Sequence, residues 1–398
     1  MSAEVLSSIE FQMSLLLFVA LAGYLVASRI NQSAVIGEIF VGLLVGPSFL
    51  ALITYTDFVS SIAHLGAIIL LFVIGFEFNI REIFNLQYGI IAIVGVIVPW
   101  IGGYATALLF GFDTQGALFI GTALTATSIA ITANVLREMN QLHSDAAKAI
   151  IGAAVIDDVL SLLALAITKD VVSGAFSPES ILFILVKAIG FMALFGWLGI
   201  TFLSAFLVKI DRSPIAEKFP EFVFIAAMMI AFFYAMIADL VGLSGIIGAF
   251  LAGVSMERIG LRHSKDLKEG AEYLQIIFAS IFFVSLGILV DVHALTIEGI
   301  IFMIVLTVVA ILTKVVSCAI PSRLIGMCRR DALIVGFGMS PRGEVAMIVA
   351  LIGLTGGIIG QDIYASIVFM SLLTTIATPI IYRNWLFKKE TCHPEISE

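Results

Sequence analysis

Long apolar runs, separated by short polar or charged joints, recur along almost the whole chain. Most approach the ~20 residues that a helix needs to cross the hydrocarbon layer of a bilayer. Unlike the strands of membrane barrels, they do not alternate apolar and polar residues. The pattern predicts an all-α membrane protein with 13 transmembrane helices, at 10–28, 34–53, 62–77, 87–110, 115–136, 147–168, 181–208, 221–239, 242–256, 273–290, 297–320, 331–357 and 362–386.

Composition supports a membrane protein. Of the 398 residues, 61% are hydrophobic and 13% charged, with a mean hydropathy of +1.13, whereas soluble domains are about 45–50% apolar and about 25% charged. Three scattered cysteines and five histidines in or near loops lack the spacing of a disulfide framework or a metal site. We therefore expect no cofactor and no nucleic-acid partner; the expected contacts are membrane lipids and transported ions.

Basic residues predict the orientation. Of the 21 Lys and Arg residues, Lys187, Lys314 and Arg342 lie inside apolar runs, and Lys187 is close enough to a helix end to reach the interface. All the other basic residues lie in one and the same set of alternate loops, whereas Lys169 alone lies in the opposite set. Because cytoplasmic loops carry the positive excess, the N-terminus is predicted outside and the C-terminus in the cytoplasm, with the chain in the cell (inner) membrane.

Two adjacent acidic residues, Asp157 and Asp158, lie near the middle of the run 147–168. Charges at this depth are costly and mark functional sites. Successive residues of an α-helix point about 100° apart, so one carboxylate can pair with a neighbour while the other faces a cavity. Two carboxylates this close repel each other when both are ionised, and either a proton or a hard cation such as Na⁺ relieves the repulsion. Competition for one carboxylate predicts cation/proton exchange.

Lys314, midway along 297–320, is the expected partner of the acidic pair. It could itself release a proton when its carboxylate partner leaves. A permanent structural ion pair remains the alternative.

Two runs contain segments that resist regular helix. In Gly121–Ser128, hydroxyl groups can replace backbone hydrogen bonds of an unwound turn; in Gly336–Glu344, Pro341 removes a donor and the glycines weaken the helix. These segments predict two broken helices whose polar side chains line a site: Thr125, Thr127, Ser128 and Ser340. Arg342 and Glu344 are expected to be structural charges beside it.

The two segments occupy matching places. Each lies in the middle member of a triplet of runs, 87–168 and 297–386, and seven runs separate corresponding members. Because seven is an odd number, the second triplet crosses the membrane in the opposite direction to the first. This arrangement predicts inverted repeats with crossing broken helices.

At these residues the chain resembles the monovalent cation:proton antiporters, second branch, which includes Nap-type Na⁺/H⁺ antiporters and Kef-type K⁺ systems. Together the matching strings span nearly the whole chain: Gly37-Glu38-Ile39, Gly46-Pro47-Ser48, Leu71-Phe72-Val73-Ile74-Gly75-Phe76-Glu77, Thr125-Ala126-Thr127-Ser128, Ile156-Asp157-Asp158, Gly248-Ala249-Phe250-Leu251-Ala252-Gly253, Phe282-Phe283-Val284-Ser285-Leu286-Gly287 and Ser340-Pro341-Arg342-Gly343-Glu344.

The resemblance implies a homodimer with a mobile transport core. Asp158 would bind Na⁺, with Asp157 or Thr127 as further ligands, and Asp157 would pair with Lys314 when the cation is absent. Relatives with two aspartates here are typically electrogenic. The implied division is 1–86 for dimerisation and scaffold helices, 87–168 and 297–386 for the two halves of the core, 169–296 for linker and scaffold helices, and 387–398 for a short cytosolic tail.

Exchange of Na⁺ or Li⁺ for H⁺ by alternating access is therefore the leading hypothesis. K⁺/H⁺ exchange on the same scaffold is the nearest alternative, because selectivity depends on cavity size and ligand number. A Na⁺-coupled solute symporter and a gated channel are less favoured. An enzyme is not expected, since no nucleophile, metal cluster or cofactor loop accompanies the carboxylates.

Overall fold

The fold consists of helices joined by short connections. The computed structural model describes residues 8–78, 85–174, 178–219, 221–257 and 264–387. The predicted cytosolic tail beyond residue 387 lies outside these ranges, as do five of the loop cations: Arg81, Arg258, Arg262, Lys388 and Lys389.

Seventeen α-helices run through the described residues. In order they are α1 (Ile9–Arg29), α2 (Ala34–Val45), α3 (Asp57–Gly75), α4 (Leu86–Leu109), α5 (Thr114–Ala123), α6 (Ile129–Glu138), α7 (Asp145–Ser173), α8 (Pro178–Leu198), α9 (Ser204–Asp211), α10 (Pro214–Lys218), α11 (Glu221–Leu240), α12 (Gly245–Met256), α13 (Ser264–Ile288), α14 (Ile297–Leu324), α15 (Arg329–Gly338), α16 (Glu344–Thr355) and α17 (Gln361–Ile381). A π-helical turn, Gly199–Leu203, joins α8 to α9, and another, Tyr382–Leu386, follows α17.

Each of the thirteen predicted runs overlaps at least one helix, and the runs 115–136 and 331–357 each contain two helices with non-helical residues between them. Within the described ranges, nine helices are long and apolar enough to cross a membrane, and three shorter apolar helices accompany them. The described part of the chain is thus all-helical and has the composition of a multi-pass membrane protein.

Several helix boundaries differ from the prediction for local reasons. The run 34–53 is helical only to Val45, because Pro47 lacks an N–H and disfavours helix at Gly46, which is extended. Helix α3 begins five residues before the predicted 62, at Asp57, because the Thr56 hydroxyl accepts a hydrogen bond from the Val59 N–H. Helix α13 begins at Ser264 rather than at the predicted residue 273, because its first turns consist largely of polar residues outside the apolar run.

The helices pack in two groups. In the first, α3 packs against α12 and α13, and α13 also contacts α2. Gly253 of α12 faces the backbone of Phe72 and Gly75 on α3 so closely that a β-carbon would collide with it. In the second group, α4 packs against α14 and α7, and α16 packs against α17 and α5. The charged residues of the candidate site all lie in the second group.

Two apolar runs of this second group are interrupted. Residues 124–128 separate α5 from α6, and residues 339–343 separate α15 from α16. Both interruptions fall inside the segments whose composition disfavours regular helix. Each therefore exposes helix ends in the interior of the protein, where only other protein groups can satisfy them.

Candidate functional site

The two interruptions lie against each other. The Ser128 N–H donates to the Pro341 carbonyl (2.9 Å), and the Thr127 hydroxyl donates to the Met339 carbonyl (3.1 Å). Gly343 permits this approach, because a β-carbon there would lie 2.8 Å from the Ser128 β-carbon. The unwound segments are thus fixed by backbone contacts that larger residues would block.

Hydroxyl groups satisfy the unwound backbone. The Ser371 and Thr375 hydroxyls of α17 donate to the Arg342 carbonyl (2.9 and 3.1 Å), and the Thr374 hydroxyl accepts from the Arg342 N–H (3.1 Å). Two predicted site residues act locally in the same way: Thr125 donates to the Thr122 carbonyl (2.8 Å) and Ser340 donates to the Gly336 carbonyl (3.1 Å). These two hydroxyls therefore stabilise the ends of α5 and α15.

Lys314 and Asp157 form a completely buried ion pair. The Lys314 Nζ lies 2.7 Å from Asp157 Oδ1, and both side chains are 0% exposed. The ammonium also donates to the carbonyls of Gly95 (2.7 Å) and Thr125 (2.9 Å). Pro99, four residues after Gly95 in α4, has no N–H, so the Gly95 carbonyl is free of its usual helical partner. All three donors of the ammonium are satisfied away from water.

Arg342 is the second buried cation, also 0% exposed. Its guanidinium donates to the carbonyls of Ala126 (2.7 Å), Thr125 (3.2 Å) and Ala310 (3.4 Å). Lys314 and Arg342 thus both contact the carbonyl end of α5, where the helix dipole favours positive charge. Arg342 binds backbone here, and the side chain of Glu344 lies outside the described residues.

Asp158 has different surroundings from Asp157. It is 7% exposed and lines a cavity of about 30 Å³ together with Thr127, Ser128 and Gly343. The N-terminal residues of α6 and α16 line the same cavity, and the positive ends of these helix dipoles favour an anionic group. A cavity of this size holds about one or two water molecules or a small cation. The two neighbouring aspartates thus have different surroundings: Asp157 is paired with Lys314, and Asp158 lines a cavity.

Larger pockets approach this cavity. One of about 380 Å³ is lined by Tyr55, His64 and Tyr364, and the Phe282 ring borders both it and the Asp158 cavity. Another of about 340 Å³ is lined by Glu38, Glu138 and Glu272, with the neighbouring Phe283 at its wall. Phe282 thus lies between the Asp158 cavity and the 380 Å³ pocket.

Sequence reasoning missed two features near the site. The Gly95 carbonyl carries no side-chain signal, although Pro99 four residues later indicates that a carbonyl is left free. The burial of Glu38 has no clear sequence signal either: its side chain is only 4% exposed and lines the 340 Å³ pocket. Glu77 lies 3.8 Å from Arg137 and 3.3 Å from His143.

Comparison with known proteins identifies the family. The family model for the transmembrane sodium/hydrogen exchanger matches residues 15–388. The chain is 34% identical to the Na⁺/H⁺-K⁺ antiporter GerN of Bacillus cereus, over 93% of this chain and 94% of that protein. It is 31% identical to an Na⁺/H⁺ antiporter of Enterococcus hirae, over 94% and 97%.

A solved structure shares the fold. The sodium proton antiporter MjNhaP1 of Methanocaldococcus jannaschii superimposes with a TM-score of 0.72 at 15% identity, covering 97% of this chain and 100% of that one. The sequence matches across almost the full length and the common fold lead to one conclusion: this chain belongs to the sodium/hydrogen exchanger family of membrane transporters.

Proposed function

We propose that this protein is a secondary antiporter that exchanges Na⁺ or Li⁺ for H⁺ by alternating access, with Asp158 as the cation-binding carboxylate. The observation that carries the proposal is the position of Asp158, buried in a small cavity between two helix N-termini and next to the Lys314–Asp157 ion pair. Membership of the exchanger family and the names of the curated relatives support the same function.

Exchange follows from competition at Asp158. A carboxylate oxygen is a hard ligand that suits Na⁺, and the Thr127 and Ser128 oxygens beside the cavity can complete its coordination. A proton on the same carboxylate removes its charge and so removes most of the attraction for the cation. Occupancy by Na⁺ and occupancy by H⁺ are therefore mutually exclusive, and a cycle that alternates them couples the two gradients.

The Lys314–Asp157 pair provides a second titratable unit. When Na⁺ recruits Asp157 as a further ligand, Lys314 loses its carboxylate partner and can release a proton. Two protons would then exchange for one Na⁺, and each cycle would move one net positive charge in the direction of the protons. Electrogenic exchange is the expected result of this coupling.

Alternating access needs a barrier that can change sides. The proposed architecture has 13 transmembrane helices, an external N-terminus and a cytoplasmic C-terminus in the cell membrane. Inverted repeats are supported by the matching triplets α4, α5/α6, α7 and α14, α15/α16, α17, both interrupted in the middle member. The pockets beside Phe282 and Phe283 would connect to opposite sides of the membrane.

The first and second helix groups would serve as scaffold and moving core. In this division, residues 1–86 and 169–296 form the scaffold and dimerisation helices, and residues 87–168 and 297–386 form the core. A homodimer and contact with membrane lipids are the expected assembly, and no cofactor takes part. A cytosolic tail beyond 387 completes the proposed topology.

Transport in proteoliposomes tests the function. Purified protein is reconstituted with a pH-sensitive dye inside, and Na⁺, Li⁺, K⁺ or choline is added in turn at several imposed membrane potentials. Na⁺ and Li⁺ should each move protons in the opposite direction, whereas choline should not. A potential that drives positive charge along the proton direction should accelerate exchange, since each 100 mV contributes about 2.3 kcal/mol per charge.

The outcomes separate the alternatives. Equal responses to K⁺ and Na⁺ would extend the substrate to K⁺, which the name of the Bacillus cereus relative also includes. Exchange that does not respond to voltage would show that one proton, rather than two, is exchanged for each Na⁺. Absence of proton movement with every alkali cation would contradict the proposed function.

A further inference from the structure

The last two residues of α6, Arg137 and Glu138, carry charges that have no role in the proposed exchange. Both belong to the proposed core, and both lie where their run reaches the predicted cytoplasmic side of the membrane. Their side chains bind residues of the proposed scaffold, in the ranges 1–86 and 169–296. Polar contacts between the two parts must break whenever the core moves relative to the scaffold.

Arg137 joins α6 to two scaffold helices. Its Nη1 donates to the side-chain oxygen of Gln275, and its Nη2 lies 3.1 Å from Glu272 Oε1, both on α13. Its Nε lies 3.8 Å from the carboxylate of Glu77, which follows the end of α3. The side chains of Arg137 and Glu77 are only 24% and 28% exposed, so solvent screens this pair less than it screens a fully exposed pair. Charge-assisted contacts thus hold α6 against α3 and α13.

Glu138 caps a scaffold helix. Ser33 is the N-cap residue of α2, but its side chain makes no bond to its own helix and donates instead to Glu138 Oε2 (2.6 Å). The same carboxylate accepts from the N–H of Ala34, the first residue of α2. An acidic group at a helix N-terminus satisfies free N–H groups and interacts favourably with the helix dipole. A residue of the core therefore stabilises the start of a scaffold helix.

These contacts lie at one end of the helix bundle. The start of α2, the end of α3, the end of α6 and the first turns of α13 all adjoin loops of the set that is rich in basic residues. Arg383, at the end of the second half of the core, donates to the Asn31 side-chain oxygen (3.0 Å) at the same end. Since this set of loops is predicted to be cytoplasmic, the core and the scaffold are held together on that side.

The Asp158 cavity adjoins the pocket at the other end. It shares Phe282 with the 380 Å³ pocket, and Tyr364 of that pocket lies near the predicted external start of α17. The 340 Å³ pocket, which the two α6 residues line, has no lining residue in common with the Asp158 cavity among the residues that the structure describes. Contact at the cytoplasmic end thus coincides with an ion cavity beside the external pocket.

We propose that Arg137 and Glu138 form a latch with their partners on α2, α3 and α13, and that this latch must open before Asp158 can face the cytoplasmic pocket. The proposal rests on the proposed alternating access, but the state of the latch can be measured without transport. Because the latch contacts stabilise only one of the two arrangements, removing them shifts the population toward the other.

The first test measures from which side the Asp158 cavity can be reached. Ala130 lines this cavity and is replaced by Cys in a protein whose three native cysteines are changed to Ser. Position 130 lies about 10 Å along α6 from Arg137, so a local gap at Arg137 does not expose it. A small, membrane-impermeant methanethiosulfonate is added to everted or to right-side-out vesicles, and the two labelling rates are compared.

Breaking the latch should raise the ratio of cytoplasmic to external labelling. Arg137→Gln should raise it about fivefold, because a partly exposed network of charge-assisted hydrogen bonds contributes about this factor to an equilibrium. Glu138→Ala should shift the ratio in the same direction. Arg29→Gln is the matched control: it makes the same chemical change at an exposed arginine at the same end, and the ratio should stay within about twofold of the native value.

The second test holds the latch closed. In the same cysteine-free protein, Ser33→Cys and Glu138→Cys are joined by a short reducible bis-methanethiosulfonate linker. Na⁺-driven proton movement should fall at least about tenfold and return after reduction, because the core can no longer leave the scaffold. The same linker between Asn134→Cys and Glu138→Cys is the control. These side chains lie 3.1 Å apart on α6, so the link stays within the core and should not change the rate of the unlinked variant.

The outcomes decide between the latch and a merely structural contact. An unchanged labelling ratio in both Arg137→Gln and Glu138→Ala would overturn the proposal, and so would full transport with positions 33 and 138 linked. A raised labelling ratio in a protein that moves no ions would refute the antiport and retain the latch. If Arg137→Gln does not fold, Glu138→Ala provides the labelling comparison.

Discussion

Replacing Asp158 with Asn should reduce Na⁺-driven proton movement in proteoliposomes to the background of empty vesicles, a loss of at least about a hundredfold. The Asn amide fits the same small cavity, but it neither carries the charge that balances Na⁺ nor takes up a proton near neutral pH. A loss of only about 3 kcal/mol of cation stabilisation already gives this factor. Exchange is measured with an internal pH dye after a Na⁺ pulse.

Asp170→Asn is the matched control for this variant. It makes the same chemical change on the same helix, 12 residues and therefore about 18 Å from Asp158. Asp170 is partly exposed near the end of α7, and its replacement should leave exchange within about twofold of the native rate. Exchange at the native rate in Asp158→Asn would show that Asp158 is not the cation-binding carboxylate.

Removing Lys314 should destabilise the protein strongly. In Lys314→Gln the Asp157 carboxylate remains fully buried without its counterion. Breaking a buried ion pair from one side costs about 3–5 kcal/mol, because an uncompensated charge is left in a medium of low dielectric constant. The double variant Asp157→Asn/Lys314→Gln removes both charges and should recover most of that loss.

Thermal unfolding in detergent, with the two single variants and the double variant, measures the coupling. Lowering the pH should selectively stabilise Lys314→Gln, since a proton can then neutralise Asp157. Lys187→Gln is the control, because this lysine lies in an apolar helix but is partly exposed and contacts the Phe183 ring. Strictly additive effects of the single changes would show that the pair is not energetically coupled.

Much of the fold is predictable because a lipid environment demands continuous helices. Each of the thirteen apolar runs contains at least one helix for this reason. The prediction is weaker where capping chemistry decides the boundary: Gly46-Pro47 ends α2 early, and Thr56 begins α3 early. It is weakest for tertiary contacts, because the pattern of a helix does not specify which helix it faces.

The candidate site is predictable to the extent that it consists of charges in an apolar environment. Asp157, Asp158, Lys314 and Arg342 are conspicuous in the sequence for that reason, and the structure brings all four to the interrupted helices. The partner of each of these four charges could be identified only from the three-dimensional structure. Much of what holds them is backbone carbonyl, as at Gly95, and a carbonyl has no residue type by which to recognise it.

Binding competition tests the central claim most directly, namely that Na⁺ and H⁺ occupy the same carboxylate in turn. Na⁺ binding to the purified protein is measured by calorimetry over a range of pH, in buffers of different ionisation enthalpy so that released protons are counted. Once Asp158 is protonated, each unit of acidification should weaken the apparent Na⁺ affinity about tenfold for one competing proton. Each Na⁺ bound should release at least one proton, and Asp158→Asn should show neither effect. Na⁺ affinity that is independent of pH, with no proton released, would contradict the account.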